Sequence, residues 1–179
     1  SRGLGDVYKR QQQDISDEKI DDKTKKIFSN VIDIHNKCVE DIMVPRANIV
    51  AISDSSSLKN LSTLMSGSKH SRIPIFEDNL DKIVGMVHIR DLFNFLKDSK
   101  NPKIEKKLTK TILRKILFTS PSMKILDLLL KMRSEKIHMA IVVDEYGGTN
   151  GLVTIEDLVE EIVGEIEDEH DMVQREHFK

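Results

Sequence analysis

The chain has 179 residues, with 28 basic and 30 acidic side chains and a formal net charge of −2 at pH 7. That length suits one substantial domain or two small ones sharing a core, and the balanced charge excludes a global drive toward nucleic acid or anionic membrane. A lone cysteine, Cys38, excludes an intrachain disulfide and a cysteine-built metal site and fits a reducing cytoplasm. No run approaches the roughly 20 apolar residues of a membrane span and no signal peptide opens the chain, so a soluble piece is expected.

Residues 1–11 carry glycine and arginine without apolar periodicity and are set aside as non-native sequence. Within a helical linker at 12–38, Ile20, Ile27, Val31 and Ile34 predict an amphipathic lead-in helix. The string EDIMVPRANIVAI breaks at Pro45 and resumes as the β-branched run Ile49 to Ile52, which predicts an extended segment and then a strand. Ser55, Ser56 and Ser57 before Leu58, Leu61, Leu64 and Met65 predict a helix start and one buried face. Ser122 before Met123, Leu126, Leu129 and Leu130 predicts a second copy of it.

Short apolar runs follow, Ile73 to Phe76 and Met139 to Val143, then the turn-forming stretches EDNLD and DEYGGTN. Strands at Ile83 to Val87 and Leu152 to Val153 lead into helices starting near Ile89 and Ile155. The lysine-rich stretch 97–115, broken at Pro102, reads as a linker, since it lacks the interleaved aromatics of a single-strand nucleic-acid binder. The acidic tail at 164–179, with Glu165, Glu167, Asp168, Glu169 and Asp171, lacks the ligand spacing of a calcium loop and reads as a solvated helix end.

These elements occur twice. Residues 71–93 match residues 137–159 at a constant ungapped offset of 66, anchored by Gly85 against Gly151, Val87 against Val153 and Asp91 against Asp157. The predicted fold class is α/β: two pseudo-symmetric β-α-β-β-α units, residues 39–101 and 102–163, packed on each other behind the lead-in helix.

The sharpest chemical signal is Gly151-Leu-Val-Thr154-Ile-Glu-Asp157, a strand that delivers a threonine to the first turn of a helix. Gly151 permits close approach of a ligand or a neighbouring backbone. Thr154 sets a hydroxyl beside unpaired helix amides, which suits a phosphate, and Asp157 can accept from both hydroxyls of a ribose. Threonine followed three residues later by an acid is also a capping box, which needs no ligand. The first copy carries His88 in place of Thr154, and a cap should matter equally in both copies, whereas a ligand site need not. His35, His70, His88, His138, His170 and His177 lack zinc-ligand spacing, so no metal site is predicted. Neither a phosphate-binding P-loop nor a nucleophile elbow is present, so no enzyme is predicted.

The copies GMVHIRD and GLVTIED resemble a tandem pair of cystathionine-β-synthase (CBS) domains, a Bateman module. More narrowly, EDIMVPRANIVAI, HSRIPIFEDNLDKIVGMVHIRDL and VVDEYGGTNGLVTIEDLVEEIVGEIEDE are similar to the CorC/HlyC (hemolysin C-like) family of magnesium and cobalt efflux proteins, relatives of the cyclin-M transporters. The likeness spans Val39 to Asp168. It implies a non-catalytic regulatory module that binds ATP or AMP between the copies, with Mg2+ accompanying ATP. Adenine would lie near Met43, Val44, Arg72, Ile73 and Pro74, ribose at Asp157 and phosphate at Thr154, with Arg72 also able to face phosphate. The mirror-related site, with Ser120, His138, Ala140, His88 and Asp91, is expected to be weak or empty.

The resemblance further implies a homodimer, no nucleic-acid partner, and a cytoplasmic location as the cytosolic part of a protein with a membrane transporter domain or a membrane-associated partner. Two departures stand out: the chain has no transmembrane domain and stops near Lys179, before the C-terminal domain that commonly follows. Transport is therefore not assigned to it. The competing reading is a structural dimerisation scaffold with no ligand.

Overall fold

The computed structural model describes residues 22–98 and 110–164. The first eleven residues, most of the linker between the copies and the acidic tail from Glu165 onward lie outside the described residues, as do Ile20, His170 and His177. The chain divides into two compact units, residues 38–158 and a second one formed by the segments on either side. In the latter, α1 spans Asp22–Asn36. Ile34 is buried, but Val31, expected on the same apolar face, is exposed.

The larger unit begins with α2 (Val39–Ile42) and β1 (Val44–Pro45), then β2 (Ile52–Ser53), α3 (Leu58–Gly67), β3 (Arg72–Phe76), β4 (Ile83–His88) and α4 (Ile89–Asp98). The second copy supplies β5 (Leu117–Thr119), α5 (Ile125–Glu135), β6 (Met139–Val143) and β7 (Thr149–Thr154), and α6 starts at residue 155. The run Ile49 to Ile52 is not a strand over its length: a 3-10 turn at Arg46–Asn48 intervenes and only Ile52–Ser53 pairs. Pro45 instead sits in β1, an edge strand, where its missing amide costs no ladder bond.

Two sheets result, one in the order β2-β3-β4 and one in the order β1-β7-β6-β5. In each, the first strand of the copy runs parallel to the next, and that one is antiparallel to the strand feeding the last helix. The copies exchange their leading segments. β1, near the start of the first copy, pairs with β7 of the second, with Val44 opposite Leu152. Arg114, ahead of the second copy's first strand, bridges to Met86 in β4 of the first.

This exchange explains the paired glycines. A Cβ on Gly151 would lie 2.6 Å from the Val44 carbonyl oxygen and 2.5 Å from Met43 Sδ, and one on Gly85 would lie 2.8 Å from the Arg114 carbonyl oxygen. Both positions must be bare for the crossing backbone to approach.

The helix of the first copy starts as its sequence predicts. Ser57 Oγ accepts from the Asn60 amide at 3.1 Å, and Leu58, Leu61 and Met65 face a core that includes Ile73, Ile75, Val87 and Leu92. A separate cluster joins Ile83 and Met86 to Met139, Ile141 and Leu152, so the two copies share apolar core. Each such side chain removed from water contributes about 1.5–3 kcal/mol. A polar clamp adds to it: Asp81 accepts from the Thr149 amide at 3.0 Å and pairs with Arg46, whose Nη1 donates to the Thr149 carbonyl at 3.0 Å.

The constant offset of 66 needs correction. β4 and β7 do keep it, with His88 equivalent to Thr154. Upstream the register shifts by one: Arg72 pairs with His88 as Met139 pairs with Thr154. Likewise the Ile89 amide donates to Ser71 O and the Ile155 amide to His138 O. Arg72 is thus the counterpart of Met139, and Ser71 of His138. The predicted face of α5 also needs correction, because the helix is capped at Lys124 and not at Ser122. Ile125, Leu128 and Met132 are buried, whereas Leu126 and Leu129 are half-buried and Leu130 is exposed. One residue is lost in the β6–β7 turn relative to the β3–β4 turn, and an ungapped comparison passes over it.

Candidate functional site

β7 ends at Thr154 and α6 starts at the next residue, so the strand hands its last side chain to the helix N-terminus. The capping box forms in full: the Thr154 amide donates to Asp157 Oδ2, and the Asp157 amide donates to Thr154 Oγ1, each at 3.2 Å. The cap does not exhaust either side chain. The threonine oxygen accepts, so its own proton remains to be donated, and Asp157 Oδ1 takes no hydrogen bond among the described residues. In the first copy His88 Nδ1 accepts from the Arg90 amide at 3.0 Å, a one-sided cap. Asp91 is engaged elsewhere.

Facing Thr154 and Asp157 is a cleft of about 110 Å³, walled also by Val44, Arg72, Pro74 and, from the second copy, Met139 and Leu152. Five of the seven residues singled out from the sequence therefore meet on one cleft, drawn from both copies. Met43 lies against bare Gly151 beside it. Ile73 does not face the cleft: it is fully buried in the first copy's core, and its side chain is committed to packing. Asn48, Ile49, Val50 and His70 also line the cleft. The sequence reading passed over them, and their signal is their position just after β1 and just before β3.

Arg72 is the only lysine or arginine lining this cleft among the described residues. Its Nη1 donates to both oxygens of Glu156, at 2.6 and 2.7 Å. The arginine side chain is 12% exposed and the glutamate 60%, so the guanidinium is the fixed partner and the carboxylate the one at the solvent edge. Burial works to raise the Glu156 carboxyl, but the Arg72 hydrogen bond, the residue's own amide and the Arg72 charge outweigh it, holding the group below its usual range. The pair leaves a guanidinium beside Thr154 and Asp157, suited to an anion once Glu156 lets go.

The pseudo-symmetric cleft is larger, about 700 Å³, and is lined by Arg72, Met86, Arg114, Lys115, Lys136 and His138, among others. Of the mirror-site residues expected from the sequence, His138 lines it, but Ala140 is fully buried. Ser120 is exposed, with its hydroxyl 3.3 Å from that of Ser122. Asp91 is held by Arg114, which pairs through Nε to Oδ2 and through Nη2 to Oδ1 at 2.8 Å. That bond first, against the opposing effect of burial, keeps the Asp91 carboxyl below its ordinary range.

Two α/β repeats that exchange leading segments, with a Gly-x-x-Thr-x-x-Asp turn of one facing an arginine of the other, define a tandem CBS pair. The chain belongs to the CBS-domain family, whose model matches residues 39–98 and 110–164. It is 47% identical over 175 residues to a possible hemolysin C of Rickettsia akari, covering 97% of this chain and 56% of that protein. It is 51% identical over 146 residues to hemolysin C of Rickettsia prowazekii, covering 81% of this chain and 46% of that one. The chain therefore spans about half the length of these relatives.

Among solved structures it is similar to the CBS domain of the bacterial CNNM/CorC family Mg2+ transporter in complex with ATP. The TM-score is 0.71 at 36% identity, over 79% of this chain and 97% of that one. It is also similar to a CBS-domain pair with bound AMP from Klebsiella pneumoniae, with a TM-score of 0.57 at 35% identity, over 70% and 98% of the two chains. Among the described residues no helix is long and apolar enough to cross a membrane.

Proposed function

We propose that this CBS pair is a non-catalytic regulatory module that binds an adenosine nucleotide, ATP or AMP, in the cleft containing Thr154 and Asp157. It would serve a hemolysin C/CorC-like magnesium and cobalt efflux protein as its cytosolic part. The observation that carries the reading is the convergence of Val44, Arg72, Pro74, Thr154 and Asp157, from both copies, on one cleft. The solved relatives with ATP and with AMP support it. In the proposed complex Val44 and Pro74 flank the base, Asp157 Oδ1 accepts from the ribose, and Thr154 Oγ1 and Arg72 donate to phosphate.

At about 110 Å³ the cleft is narrower than the roughly 300–1,000 Å³ of ordinary small-molecule sites, so a nucleotide must widen it. Exchange of Glu156 for phosphate at Arg72 is the movement with the least to break, because the glutamate end is mostly exposed. A released Glu156 beside Asp157 repels ATP, and Mg2+ would relieve that; AMP needs it less. The deciding experiment is calorimetric titration of ATP and AMP, with and without Mg2+, on wild type and Thr154→Ile. Saturable binding that Thr154→Ile abolishes while the circular dichroism spectrum is kept is the expected result.

The second reading, a dimerisation scaffold, draws on the exposed Ile89 and Phe93 of α4, 42% and 65% accessible, an apolar face a second copy would cover. A homodimer is compatible with both readings. Self-association with no heat from either nucleotide at any Mg2+ concentration would favour the scaffold alone.

A further inference from the structure

The second cleft is not a worn copy of the first, because three of its lining positions have gained positive charge. Where Val44 and Pro45 pair with β7, Arg114 bridges to β4 and Lys115 follows it into the cleft wall. Where Met139 walls the first cleft from the opposite copy, its counterpart Arg72 walls the second. Lys136 adds a further charge from the end of α5, in a left-handed conformation, φ 57°, that glycine or asparagine ordinarily takes at a helix end. Among the described residues lining this cleft, four cations face a single carboxylate, Glu135.

The cations fall into two sets. Arg72 is held by Glu156 and Arg114 by Asp91, whereas Lys115 and Lys136 have no ion-pair partner among the described residues. His88, in the place of Thr154, reports the local field. Its imidazole is pushed below its ordinary value first by burial and then by Arg72, Arg114 and Arg90, with Asp91 opposing. Its Nδ1 is taken by the Arg90 amide, so in the neutral ring Nε2 carries the proton. Asp91 has both oxygens occupied by Arg114 and is closed to a ribose. The cleft offers phosphate-type oxygens several cations, and the aspartate equivalent to the one that would meet a ribose in the first cleft is already taken.

We propose that the second cleft is a binding site for a compact polyphosphate anion without a nucleoside, held by Lys115, Lys136 and Arg114, with Asp91 fixing the guanidinium. Uncompensated like charge on a shared wall favours a multiply charged counter-ion, and the fixed arginine fork gives it geometry. The site stands on its own residues whether or not the first cleft takes a nucleotide.

Inorganic tripolyphosphate titrated into the whole chain at about 0.15 M salt tests this, followed by calorimetry and by the NMR titration of His88. One equivalent should bind, adenosine should not compete, and the His88 pKa should rise in the complex. Affinity should fall about tenfold or more in the Lys115→Ala/Lys136→Ala double variant and stay unchanged in Thr154→Ile. Both lysines are exposed, so the double variant keeps the core, and its thermal midpoint checks that it folds. Absence of saturable binding at that salt overturns the proposal, as does competition by adenosine. So does a loss in Thr154→Ile that the lysine variant does not share, which would put the anion in the first cleft.

Discussion

The two clefts are made by the same elements related by one pseudo-twofold, yet one is narrow with a single arginine and the other wide with four cations. At the turn from strand to helix, one aspartate keeps an oxygen free while its twin is clamped by Arg114. Duplication supplies the scaffold twice, and the crossing segments then decide what each cleft can hold. Val44 and Arg114 occupy the same place in the backbone ladder, so a single side chain changes an apolar wall into a charged one.

The largest effect expected from breaking this asymmetry lies in the aspartates. Asp157→Ala should weaken ATP binding on the order of a hundredfold, since charge-assisted hydrogen bonds contribute about 1.5–3 kcal/mol each. Asp91→Ala should leave ATP affinity unchanged. Parallel calorimetric titrations separate the two; equal losses of ATP binding in both would end the distinction between the clefts.

The glycines come next. Gly151→Ala drives a Cβ into the Val44 carbonyl and Met43, and Gly85→Ala drives one into the Arg114 carbonyl. Each should cost about 1–3 kcal/mol in chemical denaturation. Gly151→Ala should cost more, because β1 pairs at two positions where Arg114 makes one bridge.

The smallest effect is on pH dependence. Asp91 is held below its ordinary range chiefly by Arg114, and Asp81 chiefly by Arg46 and the Thr149 amide. A depressed carboxylate contributes stability above its unfolded value, about 3.9, and loses it as pH falls through the folded one. Thermal midpoints should therefore drop on acidification below about pH 4, and Arg114→Gln should make that drop shallower by removing the Asp91 share. An unchanged acid limb would show that the Arg114 clamp contributes nothing measurable.

Much of this was legible in the residues. Ser57 and the apolar spacing after it predict α3; Gly85 and Gly151 mark the two strands; and the starts of α4 and α6 fall where the turn chemistry puts them. Other features were not. Ile73 belongs to the core because β3 alternates, and which face of a strand meets the other copy is a tertiary matter. The β6–β7 turn is one residue shorter than the β3–β4 turn, so an alignment anchored on β4 and β7 is one residue out across β3 and β6. That is why His138 looked like the equivalent of Arg72, whereas Leu126 and Leu129 looked buried because the helix starts after Lys124 and not after Ser122.

By itself the sequence determined that the chain is a duplicated α/β unit with a strand-to-helix turn suited to phosphate and sugar, because local spacing and capping chemistry are written within short stretches. Tertiary structure alone decided that each leading segment crosses to the other copy, that Arg72 meets Glu156, and that Arg114 closes Asp91. Those pairings join side chains 23 and 84 positions apart or strands from different copies, and no local pattern encodes them. They follow from burying two sheets against one shared core, which fixes which side chains arrive at each cleft.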